Sequence, residues 1–222
     1  DEDAMYRGEE WTAPSRSALD VLRERMAKRE LKAVDHSTVH YIPIRKHLYV
    51  EHRGVAAMTA AEVAEVRAEG EIRLRGRGIP RPITQWKHAG LPDALIENLA
   101  AREITEPFAI QRQALPVVMA GRDVIAIART GSGKTLAYLL PMLRHIADQP
   151  PLGAGEGPIG LVLAPSRELV TQIYTEAQRV AATMGLRVVA IYGGAPLSEQ
   201  LPVVKPGMEI VVASPGRLIE LM

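Results

Sequence analysis

The sequence contains no cysteine, which excludes disulfides and thiolate-bound metals and fits a reducing compartment. It has one phenylalanine and two tryptophans, so the core that its 47% hydrophobic residues build is aliphatic. No apolar run approaches the ~20 residues of a membrane-spanning helix, so no membrane partner is expected. An excess of charge is also missing: 27 Lys and Arg stand against 26 Asp and Glu. Bulk charge therefore does not indicate nucleic acid, and any such binding has to come from local patches. The acidic stretch Asp1 to Glu10 lacks the basic and apolar regions of a signal peptide. At 222 residues the chain is long enough for one domain of ordinary size plus an appendage.

The most informative stretch is Ala128-Arg129-Thr130-Gly131-Ser132-Gly133-Lys134-Thr135. Before it, Val124-Ile125-Ala126-Ile127 reads as a buried strand. After it, Leu136, Leu139, Leu140, Leu143 and Ile146 recur at helical spacing. Strand, glycine loop and helix form the context of a phosphate-binding P-loop. The glycines let successive backbone N–H groups point into one concavity, and the helix adds its positive end. Lys134 is expected to reach the β- and γ-phosphates of a nucleotide, and the Thr135 hydroxyl to ligate Mg²⁺.

Residues 1–70 read as an arm. Asp1 to Glu10 offers little to bury and is expected to be extended. From Ser17, Leu19, Leu22 and Met26 form a narrow apolar stripe on a charged helix over 15–33. Such a helix is either a solvated face or a docking element for another protein. His36 and His40 have metal-like spacing, but no further ligands stand nearby and no zinc site is expected. Thr59-Ala60-Ala61-Glu62 is a capping box that opens a short helix carrying Val63 and Val66, which Gly70 ends.

Residues 71–122 lead into the nucleotide region. Glu71 to Arg75 alternates with period two, like a half-exposed strand, and a basic Gly/Pro linker follows to Ile83. Arg73, Arg75, Arg77 and Arg81 form either a solvated face or a set of phosphate contacts. Pro92 begins a helix with Leu95, Ile96 and Leu99 inward. Gln111, in Pro107-Phe108-Ala109-Ile110-Gln111, carries an amide able to read the N6 and N7 edge of adenine. Trp86, further upstream, is counted with it among the nucleotide-binding candidates.

Residues 123–222 hold three more apolar runs, 159–163, 186–191 and 209–213, alternating with helical segments, one of them from about Ser166 to Ala182. With Val124 to Ile127 they predict four strands of a parallel sheet covered on both faces, an α/β fold. Ligands bind at the carboxyl ends of such strands. Three loops leave those ends: Ala164 to Glu168, Tyr192-Gly193-Gly194, and Ser214-Pro215-Gly216-Arg217. Their glycines, hydroxyls and arginines suit the sugar-phosphate backbone of a single strand, and are equally the residues of ordinary turns.

Together these motifs resemble the first RecA-like domain of a DEAD-box RNA helicase. Ala128 to Thr135 matches the family's A-x-T-G-S-G-K-T, and Pro165-Ser166-Arg167-Glu168-Leu169-Val170 is similar to its P-T-R-E-L-A. Gly193-Gly194 matches the double glycine, and Ser214-Pro215-Gly216-Arg217 the T-P-G-R segment. The resemblance implies ATP and Mg²⁺ at the P-loop and Gln111. It also implies RNA backbone against Arg167, Glu168, Gly193, Gly194, Ser214, Gly216 and Arg217. The implied architecture is an incomplete RecA-like domain preceded by an extended and helical N-terminal arm. Family members use it to destabilise duplexes locally or to remodel RNA–protein complexes.

Two departures stand out. Where the family has Gly, an aromatic and then Pro-Thr-x-Ile-Gln, this chain has Glu103, Ile104 and, in place of the Thr, Phe108. The sequence also reaches Met222 without the D-E-A-D motif, so this segment alone is expected to bind ATP weakly and not to hydrolyse it. Glu30 to Tyr41, together with Gly76-x-Gly78-x-Pro80-x-Pro82-Ile83 and Trp86, is similar to a nuclear subgroup. Its members are pre-mRNA splicing ATPases that act on the branch-site snRNP and promote prespliceosome formation. That subgroup implies a nuclear location and docking of residues 1–70 on snRNP proteins, including a HEAT-repeat scaffold. The alternative is a protein-docking and RNA-gating module with a vestigial ATP site. A P-loop kinase or GTPase fits less well, because Gln111 is present and no Asn-Lys-x-Asp guanine-reading motif is.

Overall fold

The computed structural model describes residues 33–222. The extended start and the helix expected at 15–33 lie outside the described residues. Residues 41–218 form one compact unit, and 33–40 and 219–222 fall in a second. In the second unit, the Asp35 carboxylate accepts from the backbone N–H of Ser37 at 3.0 Å and from its hydroxyl at 2.6 Å.

In the larger unit the chain first builds a helical layer. Helix α1 (Arg53–Ala56) is a single turn, with His52 Nδ1 accepting from Gly54 N at 3.1 Å. Helix α2 (Ala60–Glu69) starts with the expected capping box. Thr59 N donates to Glu62 Oε2 at 2.6 Å, and Glu62 N donates to Thr59 Oγ1 at 3.3 Å. A 3-10 turn, Trp86–Ala89, precedes α3 (Asp93–Ala101), which starts after Pro92 as expected. Helices α4 (Ala109–Met119) and α5 (Lys134–Ala147) then pack on one another through Leu115, Leu139, Leu140 and Leu143, all at 0% exposure. Burying each such side chain contributes about 1.5–3 kcal/mol.

The sheet follows. Strands β1 (Gly160–Leu163), β2 (Val188–Ile191) and β3 (Ile210–Ala213) lie in the order β1-β3-β2, all parallel. Val212 of the central strand is level with Val162 on one side and Ala190 on the other. All four residues of β3 are buried, which explains its uninterrupted Ile-Val-Val-Ala run. Helix α6 (Arg167–Ala181) connects β1 to β2, capped by Ser166 Oγ, which accepts from Leu169 N at 3.3 Å. Its Val170, Ile173, Ala177 and Val180 fall on one buried stripe facing β2 and β3. Helices α7 (Leu197–Val204) and α8 (Pro215–Leu221) follow β2 and β3. One continuous apolar core runs from Val55 and Ile83 through α3, α5 and α6 to Ile210 and Val212. Arg102 Nη2, just after α3, reaches Glu176 Oε1 of α6 at 2.5 Å and ties the helical layer to the sheet's helix.

Two expected strands are absent among the described residues. Val124 to Ile127 joins no ladder, and Ile125 and Ile127 are 96% and 94% exposed. Its composition suits a buried strand, but burial needs neighbours on both edges, and the three paired strands place none beside it. The sheet therefore has three of the four expected strands. Glu71 to Arg75 is likewise unpaired: Leu74 is 38% exposed and its period-two pattern meets no partner strand. One face of β1 is also open, with Leu161 at 46% and Leu163 at 53% exposure.

Candidate functional site

The glycine loop is shaped by its two positive-φ residues, Gly131 at +76° and Gly133 at +83°, a region that residues with a Cβ rarely enter. Nothing lies within 4 Å of where a Cβ on Gly131 would stand, so the loop is open there. Lys134 Nζ folds back over the loop, donating to the carbonyl oxygens of Ala128 at 2.6 Å and Arg129 at 2.5 Å. The Ser132 hydroxyl is buried and has no hydrogen-bond partner. Thr135 lies in the first turn of α5; burial pushes the Tyr138 phenol up, and the Thr135 side chain acts against it. Arg129 and Thr130 are exposed. An orphaned hydroxyl, a lysine held only by loop carbonyls and the N-terminus of a 14-residue helix together fit a phosphate group.

Beside this loop lies the start of α4. Gln111 is fully buried. Its Oε1 accepts from Phe108 N at 2.8 Å and its Nε2 donates to the Gly133 carbonyl oxygen at 3.0 Å. The amide proposed from sequence to read adenine is thus engaged with the chain's own backbone on both sides. Phe108 occupies the N-cap of α4 and has no oxygen with which to cap it.

The segment entering α4 is held from α3. Glu103 has φ +59°, with Glu103 N donating to Ala100 O at 3.0 Å and Ile104 N to Leu99 O at 2.9 Å. This is a Schellman motif with glutamate at the left-handed position that glycine ordinarily fills. Trp86 is 4% exposed and its Nε1 donates to Ile104 O at 2.9 Å. The indole is therefore part of the core and anchors the chain that leads to Phe108 and Gln111.

The loops after the three strands converge. Ala164 N donates to Ala213 O at 2.9 Å and Ser214 N to Ile191 O at 2.8 Å, which extends the ladder into the loops. Arg167 Cζ lies 4.9 Å from the centre of the Tyr192 ring, a cation–π contact. A Cβ on Gly194, whose φ is +83°, would stand 3.6 Å from Arg167 Nη1. Arg217 Nη1 donates to Ala195 O at 2.8 Å. Gly193 and Gly216 are exposed, and nothing lies within 4 Å of where a Cβ on either would stand. The Glu168 carboxyl is held below its usual range by its own backbone N–H and the Ser166 hydroxyl. Of the candidates read from sequence, the structure brings together Lys134 with Ala128 and Arg129, Gln111 with Gly133, and Arg167 with Gly194.

One residue of this region escaped the sequence reading. Gln200, 8% exposed, accepts from Tyr192 N at 3.1 Å and donates to Tyr192 O at 3.0 Å, so it braces the end of β2. No local pattern marks it, since its partner is eight residues away across a turn. Tyr192, read from sequence as the start of the double-glycine loop, lies under Arg167.

The chain is similar to known proteins in sequence and in fold. A family model described as DEAD/DEAH box helicase matches residues 108–222. The chain is 46% identical over 206 residues to the pre-mRNA-processing ATP-dependent RNA helicase PRP5 of Pyricularia oryzae, covering 92% of this chain and 20% of that protein. It is 45% identical over 224 residues to the probable ATP-dependent RNA helicase DDX46 of Homo sapiens, covering 100% of this chain and 22% of that one. The chain thus spans about a fifth of the length of these curated relatives. Among solved structures it is similar to the RNA-helicase Prp28 from Chaetomium thermophilum bound to ADP. The TM-score is 0.70 at 40% identity, over 75% of this chain and 41% of that chain.

Proposed function

Because the chain belongs to the DEAD/DEAH box helicase family, we propose that it is the ATP-binding part of an RNA helicase that remodels RNA–protein complexes in pre-mRNA splicing. The observation that carries this reading is the phosphate loop, with its orphaned Ser132 hydroxyl and loop-bound Lys134, at the head of α5. ATP with Mg²⁺, when bound, supplies the phosphoryl group whose transfer to water drives the cycle. Lys134 leaves its carbonyl partners for the phosphates, and Thr135 provides the hydroxyl suited to the metal. Ala128 to Gly133 supply backbone N–H groups, and Gln111 holds the loop against α4 and is the candidate for the adenine edge.

RNA is the second ligand. Arg167 and Arg217 offer cations to phosphates, and the exposed glycines Gly193, Gly194 and Gly216, with half-buried Ser214 beside them, let a strand approach. The deprotonated Glu168 repels phosphate and accepts from a hydroxyl, which suits a ribose 2′-OH. The name of one relative, a pre-mRNA-processing RNA helicase, supports action in splicing; the finer proposal, from the resemblance of Glu30 to Tyr41, is nuclear action at prespliceosome formation on the branch site. Residues 1–70 are the proposed docking arm for snRNP proteins, including a HEAT-repeat scaffold.

The test is the RNA-stimulated ATPase rate of the full-length protein, wild type beside Lys134→Ala. Loss of turnover in the variant is expected. Splicing activity indifferent to Lys134 would favour the docking module with a vestigial ATP site.

A further inference from the structure

A groove of about 870 Å³ lies between α2 and the segment 71–81, lined by Val63, Ala64 and Ala68 from the helix and by Ile72, Arg73 and Ile79 from the segment. Glu71 N donates to Ala68 O at 3.1 Å and Ile72 N to Arg67 O at 2.8 Å, which ends α2 and begins the second wall. Beyond Ile72 that wall has nothing to pair with. Residues 73–75 lie in no helix or ladder and make no backbone hydrogen bond with other described residues. The sequence Glu71-Ile72-Arg73-Leu74-Arg75 alternates, so a strand laid against it meets cations on one face and aliphatic groups on the other.

The charge of the groove has one dominant sign: Arg67, Arg73 and Arg81 line it against Glu71. Arg67 Nη2 donates to Pro80 O at 3.3 Å and Arg81 Nη1 to Ala56 O at 2.6 Å. Those carbonyl oxygens fix the two guanidinium groups without neutralising them; Glu51 Oε2, 3.7 Å from Arg81 Nη1, offsets one in part. Arg73 and Arg75 are exposed, and among the described residues their guanidinium groups have no partner.

We infer that this groove takes an extended segment of another protein, in which carboxylates alternate with aliphatic side chains, added as a strand to residues 73–75. Backbone hydrogen bonds then supply affinity, and the arginines and the apolar walls select the side chains. A nucleic-acid backbone suits the arginines alone, since it uses neither Ile72 and Ile79 nor the open backbone groups. The ligand is a strand and 71–81 lies outside the arm at 1–70, so the groove is a site apart from the docking-arm reading, and its occupancy requires nothing of the phosphate loop.

The test is fluorescence anisotropy of a labelled nonapeptide, glutamate alternating with valine, against the full-length protein, beside a peptide with lysine in place of glutamate. The glutamate peptide is expected to bind about tenfold more tightly or better. Arg73→Glu combined with Arg75→Glu weakens it about tenfold and binds the lysine peptide more tightly than wild type does. Ala64→Glu, on the exposed side of a helix that tolerates glutamate, also weakens the glutamate peptide, and all variants keep the wild-type melting temperature. Backbone N-methylation of the peptide at every glutamate or at every valine abolishes binding in one set and spares it in the other, because alternate residues of an edge-paired strand turn their N–H groups to the same side. No binding of the glutamate peptide, equal affinity for both peptides, or equal loss from both methylated sets would overturn the inference. So would a charge reversal that spares the peptide and weakens poly(U), which would make the arginines phosphate contacts. A dimer seen by light scattering and abolished by the reversal would put a second copy of the chain in the groove and overturn it as well.

Discussion

Gln111 and Gly133 are joined by a 3.0 Å hydrogen bond from the glutamine Nε2 to the glycine carbonyl oxygen, although they are separated by 22 residues. The bond fixes the phosphate loop to the first turn of α4. It also explains why position 133 has no side chain: Gln111 and Phe108 already occupy the space a Cβ would need, and the backbone there has φ +83°.

Gly133→Ala is therefore expected to destabilise the fold by about 2 kcal/mol, from left-handed strain and displacement of two neighbours. Gln111→Ala leaves the Gly133 carbonyl and the Phe108 N–H without this partner and opens a cavity, for a loss of about 2–4 kcal/mol. Urea denaturation measures both. Unchanged midpoints would show that the loop does not lean on α4.

Glu103 carries a strain that glycine would relieve. Its φ of +59° at the Schellman position costs about 1–2 kcal/mol relative to glycine, partly offset by glycine's greater freedom when unfolded. Glu103→Gly is expected to raise stability by about 0.5–1 kcal/mol. A lower melting temperature in the variant would count against this account of the turn.

The capping box of α2 makes stability depend on acid. Hydrogen bonds from the Thr59 backbone N–H, and next from its hydroxyl, hold the Glu62 carboxyl below its usual value of 4.5. The unfolded chain then binds the proton more readily than the folded one. The contribution is full above the unfolded value and is lost as pH falls through the lower, folded value. Glu62→Gln keeps an acceptor for the box but cannot titrate. Thermal melts from pH 6 to pH 3 should show a shallower acid slope in the variant, and identical slopes would refute the assignment.

Arg167 is exposed and held over Tyr192, at the carboxyl end of the sheet. Arg167→Ala should weaken single-stranded RNA binding by a similar factor for poly(U) and poly(A). It should also flatten the dependence of log affinity on log salt by about 0.7, the value of one lost phosphate contact on a single strand. A sequence-dependent loss would place Arg167 on a base instead.

What the sequence revealed, and what it hid, follows from the range of the interactions. The Thr59–Glu62 box, the start of α3 after Pro92 and the start of α6 near Ser166 are local, and each was readable. The three paired strands were readable because parallel strands are covered enough to be written as apolar runs. Val124 to Ile127 has the same composition, yet composition specifies only a strand's suitability for a ladder, never the presence of a neighbour. At the site, the amide of Gln111 was legible as a chemical group. Its occupation by Phe108 N and Gly133 O was not, because one of those partners is remote and neither has a characteristic side chain. Trp86 was legible as an aromatic near the motif, while its place in the core depended on the distant Ile104 carbonyl.

The unpaired stretch before the loop has a thermodynamic consequence. Ala128, whose carbonyl holds Lys134, follows directly on Ile125 to Ile127, which are exposed and make no backbone hydrogen bond with other described residues. One end of the loop thus grows from a packed helix, and the other from a segment with nothing to lean on. Any strand that pairs with 124–127 restricts the conformations open to 128–133, and a phosphate bound in the loop restricts the same residues. The two events share one free energy, so each strengthens the other by the same factor. Ligand affinity at Lys134 is in this sense a gauge of how completely the sheet beside it has been assembled.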